Sequence, residues 1–509
     1  FSQRLKLAMF QLEEATIAEF CLAFESGLLT SEQLVQLYLD RIATYDQQGP
    51  ALNAIITLNP EALETATALD QERQQQGPRG PLHGIPVLLK DNIDTADLPT
   101  SAGAFVLEDL LPPDDAYVVQ ELRAAGAIIL GKTNLDEFAR NVQGVSALGG
   151  QTLNPYDFTR APGGSSGGTA VAITANFAVL GLGTETGVSI RNPAANNSLA
   201  GIAPTAGLVS RDGTVPISFT LDRVGPIART VEDAAIALDV IAGFDESDPI
   251  TADSVGNIPA AGYTSLLSDQ ALEGARIGIF RDLFRTGNNH AESVAIIEQA
   301  IDDLAAEGAV IVDDVSLGID LFSVLDDARV NLFETEFAVN NYLDSLGPNA
   351  PVQNLQDILN DGRLLPRTSF IFSLSQGLSA FENNPDYLER LSQREFLQDA
   401  TINLLESLNL DALVYPMKTL PAPLLGELSP ESDNPFTSIT GLPGIVVPAG
   451  VTSAGLPIGL EFSGEPFDEA LLLSFAYDYE QATQHRIAPA SGPFSSPTTE
   501  TMQVSLSTS

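Results

Sequence analysis

Residues 160–193 read Arg160-Ala161-Pro162-Gly163-Gly164-Ser165-Ser166-Gly167-Gly168-Thr169, an apolar run from Ala170 to Leu182, and then Gly183-Thr184-Glu185-Thr186-Gly187-Val188-Ser189-Ile190-Arg191-Asn192-Pro193. Two serines, Ser165 and Ser189, each sit in a bend rich in Gly, Ser and Thr. Taken alone, the first bend also reads as a flexible loop. A linker is not followed at once by a helix-length apolar run and a second glycine turn, so the pair argues for two ordered loops. Glycines packed around a serine let the backbone approach another group closely. Small residues opening a helix leave free N–H groups that can hold an anion or an oxyanion.

Working outward, the stretch Gly84-Ile85-Pro86-Val87-Leu88-Leu89-Lys90-Asp91-Asn92 is a short apolar strand that ends on a lysine and turns. Lysine is scarce in this chain: Lys6, Lys90, Lys132 and Lys418 are the full set. A lysine at the end of a buried strand is either paired or loses its proton easily. Beside serines, such an amine can activate a hydroxyl nucleophile.

These three segments, in this order, resemble the amidase signature hydrolases. That family carries a Lys after a Gly-Ile-Pro strand, a Gly-Ser-Ser-Gly-Gly-type loop, and a Gly-Thr-Asp/Glu-x-x-x-Ser-Ile-Arg-x-Pro-Ala loop. Here these are Lys90, the loop around Ser165, and Gly183 to Ala194. The likeness extends from about Leu12 to about Pro489. Within the family, Gly-Thr-Glu-Thr, Leu208 to Gly213 and Val215-Pro216-Ile217-Ser218 look most like bacterial peptide amidases.

The resemblance implies a Ser-Ser-Lys site. Ser189 would be the nucleophile, Ser165 the proton relay behind a cis peptide bond, and Lys90 the base, held neutral by burial. The N–H groups of Thr186, Gly187, Val188 and Ser189 would form the oxyanion hole. Losing one such donor costs about 3–4 kcal/mol. Ser166, Arg191 and Asp222 would support the loops. From local pattern alone, Ser189 also reads as a helix N-cap before Ile190. Val188 stands where the family has Gly, and a β-branched residue is strained if that position needs a positive φ. Glu185 replaces the commoner Asp.

The chain has 509 residues, with 67 Asp and Glu against 24 Lys and Arg, for a net charge of −43. That balance repels nucleic acid and anionic membranes, so neither is an expected partner. An acidic surface favours solubility, and it suits a periplasmic or extracellular setting over the cytoplasm. The single cysteine, Cys21, excludes an internal disulfide and reads as a small core residue. No stretch is long and apolar enough to span a bilayer as a helix. No basic region followed by an apolar one stands at the start, and the opening on Phe1 leaves room for an upstream segment.

Residues 1–76 read as an N-terminal helical layer with a short strand at Ala54–Leu58, and Thr30 with Gln33 forms a capping box. Residues 77–490 read as one large α/β domain, a central mixed sheet flanked by helices. Within it, 317–409 reads as a helical insertion that walls the pocket, with Phe333, Phe337 and Tyr342 as candidate lining. Strand character returns at Ala412–Tyr415, Gly444–Val447 and Ile458–Phe462. The tail 491–509 is rich in Ser, Thr and Pro and is expected to be disordered.

Gly126 to Thr133 matches the pattern of a phosphate-binding loop, but its middle is a continuous apolar run whose N–H groups a strand uses up. Lys132 is therefore expected to be a structural cation or a group lining the cavity. Of the three histidines His83, His290 and His485, His83 alone stands near the Lys90 strand, and a structural role is expected for it too. No His/Cys/Asp/Glu cluster has metal-ligand spacing, and no cofactor is implied.

The expectation is an amide hydrolase that works through an acyl-enzyme on linear carboxamides, including C-terminal peptide amides, as a monomer or homodimer. Two rivals remain. One is the ammonia-supplying component of a tRNA-dependent amidotransferase. The other is a binding protein that kept the fold after Val188 spoiled the oxyanion hole.

Overall fold

In the computed structural model, residues 10–378, 382–427 and 434–489 are described. The apolar runs become strands: β1 (Ile55–Leu58), β2 (Pro86–Lys90), β3 (Ile128–Thr133), β4 (Val145–Ser146), β5 (Gly150–Gln151), β6 (Leu180–Glu185), β7 (Ala200–Ala203), β8 (Arg223–Ala228), β9 (Arg276–Phe280), β10 (Val310–Val315), β11 (Ala412–Pro416), β12 (Gly444–Val451) and β13 (Pro457–Ser463). β4 and β5 form a small hairpin; the others make one 11-stranded sheet in the order β1-β3-β2-β6-β8-β7-β12-β13-β11-β9-β10. β3, β2 and β6 run parallel, as do β11, β9 and β10, while the middle of the sheet is antiparallel.

Every residue of β2, β3, β6, β8, β11 and β13 is buried. Strands covered on both faces need no polar alternation, which is why they appear in the sequence as plain apolar runs. β10 is the opposite case. It is an edge strand with an exposed Val310 and carries Asp313 and Asp314. Its charges protect the edge from stray pairing and hide it from a hydropathy reading.

The helices Ile17–Glu25, Ser31–Tyr45 and Ala62–Gln76 pack against one end of the sheet. Thr30 caps the second by accepting from Gln33 N at 3.1 Å, and Gln33 returns the bond at 3.0 Å. This N-terminal segment is not only helical, because β1 extends the sheet through antiparallel pairing with β3. The run Ala170–Leu182 is not one helix either. It splits into the helix Gly167–Thr174 and strand β6, with Asn176 at φ 58° making the turn. Cys21 is half-buried, its thiol 3.4 Å from Pro81 O.

β9 and β10 precede the helices Leu321–Asp327, Asn331–Ser345, Leu355–Asp361, Pro366–Gln376 and Pro385–Leu408, and β11 follows them. β11 then inserts between β9 and β13. The chain leaves the sheet, builds a helical cover and re-enters the same sheet. The cover is held by two apolar clusters, one joining Phe333 and Leu397 to Phe280 and Phe436, the other joining Val339, Leu355 and Phe372 to Phe138. The tail from Ala490 lies outside the described residues.

Candidate active site

The two serine loops meet at the ends of β2 and β6. The Gly164–Ser165 peptide bond is cis. Two glycines before Ser165 are sterically required. Gly163 has φ 86°, and a Cβ there would strike Asn192; a Cβ on Gly164 would strike the Asp136 carboxylate. Asp136 fastens this loop from the other side. Its N–H donates to Ser165 O at 3.1 Å, and its carboxylate accepts from Gln143 N at 3.0 Å and Gly144 N at 2.9 Å. The two loops are joined directly, since Ser166 N donates to Ser189 O at 3.1 Å.

Lys90 is fully buried at the end of β2. Its Nζ lies 2.7 Å from Ser165 Oγ, 2.8 Å from Thr184 Oγ1 and 3.2 Å from Thr184 O. Burial pushes the amine down to about 7, against the pull of Asp136, Asp222 and Glu185. A neutral amine has two N–H donors and one lone pair. Three neighbours, one of them a carbonyl that can only accept, suit that state. Ser166 Oγ donates to the same Thr184 carbonyl at 3.2 Å.

Ser189 is 7% exposed and lines a cavity of about 780 Å³ together with Thr186, Gly187 and Val188. Its hydroxyl makes no hydrogen bond among the described residues, so the structure brings Ser165 to Lys90 but leaves Ser189 Oγ unlinked to Ser165. The N-cap alternative fails: the helix Arg191–Asn196 is capped by Ile190, with no side-chain capping bond. Among the described residues, the N–H groups of Gly187, Val188 and Ser189 donate to no protein acceptor. Val188 is absent from the positions with positive φ, so its β-branched side chain carries no left-handed strain. The expected conflict at Val188 does not arise.

Charges buried behind the loop hold its shape. Glu185 Oε2 accepts from Ile190 N at 2.9 Å and Arg191 N at 3.1 Å. Arg191 reaches Glu185 at 2.8 Å, Glu461 at 2.7 Å and Gly187 O at 2.8 Å. Arg223 and Ser438 also contact Glu185, at 3.0 and 2.8 Å. Burial pushes the Glu185 carboxyl up, but Arg191 and Arg223 outweigh it and hold it below the usual carboxylate range. Asp222 accepts from Thr186 Oγ1 at 2.5 Å and from Ile217 N and Ser218 N at 2.7 and 2.9 Å.

The sequence reading missed Thr184, Asp136, Glu461, Arg223 and Ser438. Glu461 alone carried a signal, a carboxylate inside the apolar strand β13. The insertion does wall the cavity: Asp326, Arg329, Phe333, Arg367 and Arg390 line it. Phe337 and Tyr342 instead line a neighbouring cavity of about 310 Å³ that shares Thr186 and Ile217 with the first.

The remaining candidates lie elsewhere. His83 Nε2 lies 2.9 Å from Leu69 O, against the helix Ala62–Gln76. Lys132 sits inside β3, with Nζ donating to Ile93 O at 2.6 Å and Thr100 Oγ1 at 2.9 Å, so no phosphate loop forms there. Among the described residues, no cluster of His, Cys, Asp and Glu could hold a metal, and no helix is long and apolar enough to cross a membrane.

The amidase family model matches residues 33–473, and the chain belongs to that family. It is an amidase signature hydrolase, an enzyme that cleaves the carbon–nitrogen bond of amides. The native peptide amidase of Stenotrophomonas maltophilia, a solved structure, is 38% identical with a TM-score of 0.84, over 94% of this chain and 98% of that one. A probable amidase of Arabidopsis thaliana is 37% identical over 500 residues, 94% of this chain and 92% of that protein. A glutamyl-tRNA(Gln) amidotransferase component from Halorhodospira halophila is 34% identical, over 94% and 99% respectively.

Proposed function

We propose that the protein hydrolyses linear carboxamides, C-terminal peptide amides among them, through an acyl-enzyme on Ser189. The observation that carries this reading is the 2.7 Å contact between a fully buried Lys90 and Ser165, in a loop bonded to Ser189. Once substrate turns the Ser189 hydroxyl toward Ser165, neutral Lys90 takes the Ser165 proton while Ser165 takes that of Ser189. Ser189 Oγ then bonds to the amide carbon. The carbonyl oxygen becomes an oxyanion facing the free N–H groups of Gly187, Val188 and Ser189. When the C–N bond breaks, the proton returns along Ser165 to the departing nitrogen, releasing ammonia or an amine. Water repeats the attack on the ester, gives its proton to the same chain, and frees the acid and Ser189.

The test is ammonia release from a panel of peptide amides, aryl amides, fatty amides and glutamine, with Ser189→Ala as control. Release from peptide amides that vanishes in the control supports the reading. Release from glutamine alone, or only in the presence of co-purifying proteins, would move the protein to the amidotransferase reading, which the 34% identity to such a component keeps in view. A net charge of −43 weighs against work beside tRNA.

A further inference from the structure

The wall of the large cavity reverses the sign of the rest of the molecule. It carries Arg140, Arg329, Arg367 and Arg390 against Asp326 and Asp386. The chain as a whole has 67 acidic residues against 24 basic ones. Three of these arginines need no ligand. Arg329 faces Asp326 at 3.1 Å. Arg390 Nη1 donates to the carbonyls of Asp326, Asp327 and Arg329, and its guanidinium lies over the Phe333 ring. Arg367 is exposed to water.

Arg140 differs from all three. It is 7% exposed, and its Nη2 donates to Thr335 Oγ1 at 2.9 Å. Its guanidinium lies 5.2 Å from the centre of the Phe372 ring. Nε and Nη1 are buried and meet no acceptor among the described residues. Leaving a buried guanidinium without an anion is costly, and a ligand carboxylate is the planar acceptor that matches its fork. The next residue repeats the pattern: Asn141 also lines the cavity, and its Oδ1 is buried without a donor.

The backbone fixes this pair in place. Phe138 and Ala139 take φ of 49° and 57°, two consecutive non-glycine residues in the left-handed region. Such conformations persist where the surroundings impose them, and they concentrate at sites that hold ligands. The same segment starts at Asp136, which is bonded to Ser165. Arg140 and Asn141 are thereby set on the cavity wall close to the reacting loops.

We propose that Arg140 is a specificity residue that receives a carboxylate on the substrate, so that the preferred substrate is a carboxamide carrying a negative charge, such as a peptide amide with an acidic last residue. This rests on the hydrolase reading of Ser189. These atoms are shielded from water in the free protein, so both side chains turn toward the cavity as the substrate enters: Arg140 Nε and Nη1 then donate to its carboxylate, and Asn141 Oδ1 accepts an N–H of the same residue. Burial pushes the guanidinium down only to about 10, with Asp222 pulling it back up, so it is charged at neutral pH.

The experiment compares acetyl-Ala-Glu-amide with the neutral isostere acetyl-Ala-Gln-amide. In the native protein, kcat/KM for the Glu amide should exceed that for the Gln amide by at least about tenfold. In Arg140→Met that ratio should fall to near one, with Arg140→Lys between the two. A native ratio near one, or a ratio that survives in Arg140→Met, overturns the proposal. Calorimetric binding of both peptides to Ser189→Ala protein, with and without Arg140→Met, reads the same preference without turnover. If neither peptide is hydrolysed, the hydrolase reading loses these substrates, while unequal binding abolished by Arg140→Met still upholds Arg140 and equal binding overturns it.

Discussion

Two lysines on adjacent strands are buried alike but meet different neighbours. Lys90 ends β2, and Lys132 lies next to it in β3, where Leu89 pairs with Lys132 and Lys90 with Thr133. Alternation along a strand sends the two side chains to opposite faces. Both are fully buried, and burial pushes both amines down. Their partners differ. Lys132 donates to a main-chain carbonyl and to Thr100, and Asp91 and Asp94 pull its amine back up. Lys90 likewise meets a carbonyl and a threonine hydroxyl, both of Thr184, and Asp136, Asp222 and Glu185 pull its amine back up; what it adds is the hydroxyl of Ser165, in the loop bonded to Ser189. Burial alone therefore does not single out the proposed base; the serine hydroxyl beside it does.

The sharpest break of this contrast is Lys90→Ala against Lys132→Met. Lys90→Ala should fold and lose about 10²–10⁴-fold in kcat/KM, the usual weight of a general base. Turnover within tenfold of the native protein would remove Lys90 from the chemistry. Glu185→Gln probes a third kind of buried cation, Arg191, which is fully paired. Leaving Arg191 and Arg223 with a weakened partner should destabilise the fold by about 3–5 kcal/mol, read from denaturant midpoints. An unchanged midpoint would mean that Glu461 carries the cluster alone.

Lys132→Met should cost about 1–3 kcal/mol of stability, because Ile93 O and Thr100 lose their donor. Activity per folded molecule should stay within about threefold, and a larger loss would place Lys132 in the chemistry beside Lys90. The smallest effect is the pH profile. Lys90, as the proposed base, acts only when deprotonated, so kcat/KM should fall about tenfold per unit as the pH drops below about 7 and level off above it. Lys132→Met should leave that limb in place. A limb displaced by a full unit in the variant would show that the two amines titrate together.

Much of the site was legible because chemistry sits in short contiguous motifs. Ser165, Ser166, Ser189 and Arg191 fall within one stretch, and Lys90 announces itself as a charge at the end of an apolar strand. The insertion was legible because strand character stopped and then resumed. Thr184 and Asp136 were not, since a threonine and an aspartate are ordinary residues until the fold sets them against Lys90 and the Gly163–Ser165 turn. β10 was missed because an edge strand carries charge where a central strand does not. Whether Val188 is strained stayed open in the sequence, because the φ of a turn depends on how the loop is anchored from behind, here by Glu185, Arg191 and Ser438.

Local order, residue types and spacing were enough to establish the family, the sheet with its helical cover and the three residues of the Ser-Ser-Lys candidate set. Those features depend on near neighbours in the chain, where steric and hydropathic rules act directly. The tertiary structure decided which of two buried lysines faces a serine, that Arg140 keeps two buried N–H groups without an acceptor among the described residues, and whether the Ser189 hydroxyl is already joined to Ser165. Each of these is settled by groups tens to hundreds of residues apart, such as Lys90 with Thr184, Arg140 with Thr335, and Arg191 with Glu461. Short-range spacing carries no information about such pairs, because closing the fold alone brings them into contact.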